Sequence, residues 1–159
     1  MDATNMVYPD NFFDVVIANQ VYMCFPKPDL FIKELYRVLK PGGISYFGAR
    51  NKYTLWDGQY HLPLLAFMPK GLADLFVKIT RRAESFTASY RSFWQLQKLC
   101  GDFVIKRYTP KILNDPQKYN FRSLAKFGSI LSLFSEKFWE ILEPTLPNFI
   151  WILKKPKET

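Results

Sequence analysis

The stretch from Pro9 to Ala49 constrains the fold more than any other part of the chain. It reads Pro9-Asp10-Asn11-Phe12-Phe13-Asp14-Val15-Val16-Ile17-Ala18-Asn19-Gln20, then an amphipathic segment, then Leu35-Tyr36-Arg37-Val38-Leu39-Lys40-Pro41-Gly42-Gly43-Ile44-Ser45-Tyr46-Phe47-Gly48-Ala49. Phe13 to Ala18 is a short, nearly continuous apolar run rich in β-branched residues. That pattern belongs to strands covered on both faces, as in parallel sheets. Pro28 and Asp29 suit the first turn of a helix, where proline's missing N–H costs nothing and a carboxylate meets the positive end of the dipole. Leu30, Phe31, Leu35, Val38 and Leu39 recur at helical spacing, and Lys40-Pro41-Gly42-Gly43 stops the helix. Ile44 to Ala49 is a second strand. The unit is strand, crossover helix, parallel strand. Open parallel sheets bind ligands at the carboxyl ends of their strands, which here carry Asn19, Gln20, Arg50 and Asn51.

Composition narrows the class. A chain of 159 residues with 48% hydrophobic and 18% aromatic content can bury one core, so a single domain is expected. Cys24 and Cys100 form no CxxC pair, which argues against a disulfide framework or zinc site and fits free thiols in a reducing cytoplasm. His61 is the only histidine, so no metal site is expected. There is no basic-then-apolar leader and no apolar run of membrane-spanning length. The net charge of +8 is uneven: residues 1–60 hold six basic and six acidic residues, residues 61–159 sixteen and eight. The basic residues are scattered without a nucleic-acid motif, so no nucleic-acid partner is expected, while an anionic membrane surface stays open. The tail lysines Lys154, Lys155 and Lys157 read as a solvated end.

Further along, residues 53–89 fit neither neighbouring strand. Leu62 to Met68 is apolar, Pro69-Lys70-Gly71 is a break, and Leu72 to Ile79 is a short amphipathic helix. Such an insertion reads as a cap over a ligand site. Tyr90 to Leu99 is a helix, Phe103 to Tyr108 a strand, and 111–120 a loop. From Leu124 to Leu142 apolar residues recur along one helical face, and Phe149 to Leu153 is a last strand.

Asp2-Ala3, the run Pro9 to Val16, Asn19-Gln20-Val21 and above all Leu35-Tyr36-Arg37-Val38-Leu39-Lys40-Pro41-Gly42-Gly43 carry a resemblance. They are similar to class I S-adenosylmethionine-dependent methyltransferases, in particular the small-molecule group called methyltransferase type 11. The resemblance implies a Rossmann-like α/β fold of which residues 1–159 are one partial domain, holding strands four to seven at about 13–18, 44–49, 103–108 and 149–153, with a helical cap insertion at about 53–89. The family's strands one to three, its Gly-rich loop and its ribose-binding acid have no counterpart in these residues. The chain is therefore expected to be a C-terminal part of such an enzyme, inactive alone. By resemblance, Asp2 is placed near the adenine amine, Ala3 beside the base, and Asn19, Gln20 and Val21 along the methionine part of S-adenosylmethionine. Where many relatives carry Leu-Glu-His, Tyr22-Met23-Cys24 stand here, removing a possible acid/base pair.

The expected function is methyl transfer to a small, apolar or lipid-like acceptor. The sulfonium is a strong electrophile, so alignment supplies most of the rate and a base helps only where the acceptor loses a proton. No catalytic residue is assigned, and His61 at the start of the insertion is the candidate base. Tyr22, Tyr53, Trp56 and Tyr60 either shape an apolar pocket or pack beneath the cap. Cys24 lacks a base to activate it. Two alternatives stay open: a non-catalytic methyltransferase-like module that binds a partner, and a basic peripheral membrane protein. The edge of strand four is expected to recruit a second copy, a partner or an N-terminal half.

Overall fold

A computed structural model describes residues 2–121, 124 and 126–157. Its strands are β1 (Phe13–Asn19), β2 (Leu39–Arg50), β3 (Val104–Arg107) and β4 (Asn148–Lys154). They form one sheet in the order β1-β2-β4-β3. β1 and β2 are parallel and joined by α1 (Pro28–Val38), while β4 runs antiparallel to both of its neighbours. This is the mixed α/β architecture expected, and the order corresponds to strands four, five, seven and six of the implied sheet.

The distinctive run after α1 has a structural reason. Arg37 Nε and Nη2 donate to the two carboxylate oxygens of Glu34 at 2.8 Å, and its Nη1 and Nη2 reach the carbonyls of Tyr8 and Met6. Glu34 in turn accepts from the Met6 N–H. The Arg37 guanidinium beside it holds the Glu34 carboxyl down to about 2. One arginine thereby fastens the N-terminal segment to α1. The strand then starts at Leu39, not Ile44, so the turn residues lie inside β2. At Gly43 a Cβ would stand 2.9 Å from the Lys40 carbonyl and 3.1 Å from that of Asp14, which excludes any side chain there.

The core lies on one face of the sheet. Ala18, Phe47, Ala49, Phe149, Trp151 and Leu153 meet Phe31, Ile32 and Leu35 of α1 and Phe93 and Leu96 of α3 (Phe93–Leu99). Phe93 packs edge-on against Trp151, with ring centroids 5.6 Å apart. α3 starts later than expected because Ser92 and Gln95 form a reciprocal capping box.

Four sequence expectations change. β1 is covered on one face only: Val16 packs on the core, whereas Val15 is 56% and Ile17 75% exposed. Both α1 and α3 lie on the same side, so the apolar run does not report two covered faces. The expected loop at 111–120 begins as a helix, α4 (Thr109–Asn114), which Pro110 initiates and Ile112 anchors. The long helix expected from Leu124 to Leu142 is interrupted; residues 122, 123 and 125 lie outside the described residues. Beyond them come α5 (Gly128–Leu131) and α6 (Glu136–Leu142), separated because the Ser135 side chain caps a new helix by accepting from the Phe138 N–H. Finally, Lys155 is no solvated tail residue. It is buried, and its Nζ donates to Asn11 Oδ1 and to the carbonyls of Tyr36 and Leu39 at 2.8–2.9 Å.

Residues 53–89 leave the sheet after Asn51 and return at Arg91, where the two strand ends bridge. The excursion holds α2 (Lys70–Ile79) and a small core of Tyr60, Leu62, Leu65, Ala73 and Val77. Phe86 and Ala88 touch both this core and the main one. Its first part exposes Tyr53, Leu55, Trp56 and Phe67. A core this small, separate from the sheet and with large apolar side chains left in solvent, favours local opening. Amides of residues 53–67 are therefore expected to exchange with solvent well before those of Tyr46–Ala49. Equal protection in a hydrogen-exchange time course would contradict that. Among the described residues no helix is long and apolar enough to cross a membrane.

Candidate functional site

The carboxyl ends of β1 and β2 lie side by side, as the parallel pairing requires. Asn19 is registered opposite Gly48, where a Cβ would stand within 2.1 Å of Asn19 Oδ1; the glycine makes room for the amide. Gln20 turns the chain at a positive φ of 56°, and its N–H donates to the Gly48 carbonyl at 2.8 Å. Gln20 Oε1 is buried and has no hydrogen-bond partner among the described residues. Buried polar atoms are rarely left unpaired in folded proteins, which sets this oxygen apart from the satisfied groups around it.

Val21 follows, half-buried against the core, and then the turn Tyr22–Cys24. Tyr22 is fully buried. Its hydroxyl donates to the Arg50 carbonyl at 2.6 Å and accepts from the Arg91 N–H at 3.1 Å. One phenol thus joins the end of β1, the end of β2 and the returning limb of the insertion. Burial pushes its pKa up to about 12. Tyr22 is structural, not part of a pocket wall, and so is Asn51. That amide is buried, donating to the carbonyls of Pro144 and Leu146 at 2.8 and 2.7 Å while its oxygen accepts from the Tyr53 N–H.

Arg50 ends β2. Its Nε is buried without a hydrogen-bond partner among the described residues. The guanidinium lies against Gly58, where a Cβ would approach within 2.5 Å of Nη2 and 2.6 Å of Nη1. Beside it, Asp57 accepts from the N–H groups of Gln59 and Tyr60 at 2.8 Å and from the Tyr90 hydroxyl at 2.5 Å. Burial, and then the Asp57 hydrogen bond, push the Tyr90 phenol far up. The Asp57–Tyr90 pair and the role of Gly58 were not found by sequence reasoning. The Asp57-Gly58 dipeptide, a turn signal, was the available clue.

The other sequence candidates are placed as follows. Asp2 is exposed, with its Oδ1 accepting from the Thr4 N–H and hydroxyl at 2.8 Å; these bonds hold its carboxyl below the usual range. Ala3 packs against the main core. Asn19, Gln20 and Val21 stand together at the strand end, and no hydrogen bond among the described residues joins Asp2 to them. His61 is exposed in a left-handed turn, φ 55°, within the insertion. Cys24 is an exposed free thiol, and burial pushes the Cys100 thiol up to about 12.

The sheet order, the crossover helix and the polar strand ends define a Rossmann-like α/β protein of the class I methyltransferase fold. A solved methyltransferase from Methanosarcina mazei, titled S-adenosylmethionine-dependent, superposes on 99% of this chain and 66% of its own length, with a TM-score of 0.52 at 18% identity. The [4+2]-cyclase SpnF superposes on 99% of this chain and 55% of its own, with a TM-score of 0.51 at 19% identity. These likenesses concern the fold. In sequence, residues 1–47 match the family described as "Methyltransferase domain". A fatty-acid O-methyltransferase of Mycolicibacterium smegmatis is 31% identical over 121 residues, covering 74% of this chain and 40% of that protein. The chain thus spans well under two thirds of the length of that relative.

Proposed function

We propose that this chain lines the methionine side of S-adenosylmethionine and covers a small, apolar or lipid-like methyl acceptor, as part of a methyltransferase. The observation that carries this is the unpartnered, buried Gln20 Oε1 beside Asn19 at the carboxyl end of β1. An amide oxygen there accepts from an ammonium group, and the cofactor's amino-acid part has one. Asn19 and Val21 flank it, and Asp2 with Ala3 are the residues that would face the adenine. The bound cofactor supplies the electrophilic methyl group. The chain's own contribution is to bind, orient and exclude water, with the 53–89 insertion over the strand ends as a cap. The relative that acts on fatty acids supports a lipid-like acceptor.

The family's Gly-rich loop and ribose acid are not among these residues, so several charge-assisted hydrogen bonds worth about 1.5–3 kcal/mol each are missing. Affinity is accordingly expected to fall to the high-micromolar or millimolar range, near −4 to −6 kcal/mol on the order of magnitude of such weak complexes. Titrating the labelled chain with S-adenosylhomocysteine should move the amide resonances of Asn19, Gln20 and Val21. Unmoved resonances there at several millimolar ligand would remove this reading. The open edge of β1 supports a second reading, a module that pairs with another chain.

A further inference from the structure

Helix α2 is apolar on two sides. Its inward stripe is Ala73 and Val77, with Phe76 half-buried at the border, and it packs on the small core of the excursion. Leu72, Leu75 and Ile79 recur at steps of three and four on the other side, so they share one face of the helix. They are 58%, 53% and 68% exposed. A surface helix in water normally gives its outer face to polar residues. Three large aliphatic side chains in one outward line are the arrangement of a helix that meets a second apolar phase.

The charges around that stripe are mostly of one sign. Lys70 opens α2, Lys78 precedes Ile79 in its last turn, and Arg81 and Arg82 follow its end; all four are exposed. None of them belongs to an ion pair among the described residues. The carboxylates of the same stretch are Asp74 and Glu84. Asp74 is half-buried and accepts from the Phe86 N–H at 2.7 Å, which turns it towards the returning limb of the excursion. An apolar stripe bordered by unpaired lysine and arginine suits an anionic lipid surface, with the apolar face down and the cations among the headgroups. The long stems of lysine and arginine suit that boundary, because their methylenes follow apolar surface while the charge stays wet. A second copy of the chain is a poorer match, because its own stripe carries the same excess of cations.

We propose that α2 docks this chain on an anionic membrane surface, with Leu72, Leu75 and Ile79 entering the boundary between headgroups and acyl chains and Lys70, Lys78, Arg81 and Arg82 meeting lipid phosphates. The helix lies on the surface and does not cross the bilayer: its ten residues span about 15 Å, against roughly 30 Å of hydrocarbon core. Docking there needs neither the cofactor nor the methyl acceptor, so it stands or falls apart from the methyltransferase reading.

The test is co-sedimentation of the 159-residue chain with vesicles of equal parts phosphatidylglycerol and phosphatidylcholine, and with vesicles of phosphatidylcholine alone. Binding to the anionic vesicles is expected to be tighter by about 10-fold or more, and raising the salt from about 0.1 M to about 0.5 M should release most of the chain. Leu75→Gln combined with Ile79→Gln should weaken binding to the anionic vesicles by about 10-fold and leave the melting temperature nearly unchanged, because both side chains stand in solvent. Lys78→Gln combined with Arg82→Gln should remove most of the preference for anionic vesicles. Ile17→Thr, on the exposed face of β1, should bind as the native chain does. Equal binding to the two kinds of vesicle, binding to neither, or a loss in Ile17→Thr as large as in the stripe variant would overturn the proposal. So would sedimentation velocity without lipid in which the stripe variant alone turns an associated chain into monomer, since the stripe is then an interface between copies. If the stripe variant shows no cooperative melt, Leu72→Gln takes its place, and the headgroup and salt dependence of the native chain decide.

Discussion

Lys155→Ala is expected to lower the melting temperature by about 6–12 °C, from a loss of about 3 kcal/mol at 2–4 °C per kcal/mol for a chain of this size. Lys155 is buried, and its ammonium donates to Asn11 Oδ1 and to the carbonyls of Tyr36 and Leu39 at 2.8, 2.9 and 2.9 Å. It also sits over the Tyr36 ring, 4.5 Å from the centroid. Its backbone exchanges hydrogen bonds with Gly42 and Gly43. This one residue ties the last strand to the start of β2, the end of α1 and the turn before β1. Truncation leaves acceptors without a donor, and the lost hydrogen bonds to a charged group outweigh the chain entropy released. Lys155→Met keeps the aliphatic stem and should lose nearly as much, because the bonds rather than the stem dominate. A shift below about 2 °C in differential scanning calorimetry for both variants would show that the ammonium is not a structural anchor.

Sedimentation velocity of the isolated chain is expected to show dimers or larger species, and Ile17→Lys to return most of it to monomer. β1 pairs only with β2 among the described residues, so its other side presents main-chain N–H and C=O groups. Val15 and Ile17 are exposed on the uncovered face. The strand carries one charge, Asp14, already paired with Lys40 at 2.7 Å, and no lysine or proline to blunt the edge. Such an edge recruits strands. Ile17 is the better probe than Val16, because Val16 packs on the core and a lysine there would test folding instead. The Ile17 side chain points away from the core, so its substitution leaves the melting temperature almost unchanged. A native chain that stays monomeric at high concentration would end the argument. So would an Ile17→Lys chain that associates as strongly as the native one.

Much of the framework was legible in local patterns. The β-branched run from Phe13 to Ala18, the proline and aspartate opening α1, and the spacing of Phe31, Leu35 and Val38 each encode a conformation within a few residues. Together they define the parallel crossover unit. The strand-end polar residues Asn19, Gln20 and Arg50 followed from that topology alone. What local patterns do not carry is which faces are covered and which polar groups are consumed. The apolar pattern of β1 looks the same whether one face is covered or two, and the positions of α1 and α3 decide it. Lys155 reads as solvent-facing until strand pairing brings it to Asn11, 144 positions away. Asn51 resembles a pocket residue until carbonyls from Pro144 and Leu146 occupy its amide. Asp57 meets Tyr90, and Arg50 meets Gly58, only because the insertion folds back to the sheet edge. These are long-range contacts, formed when the chain closes on itself. Local residue preferences settle the elements, and packing settles which side chains are left to meet a ligand.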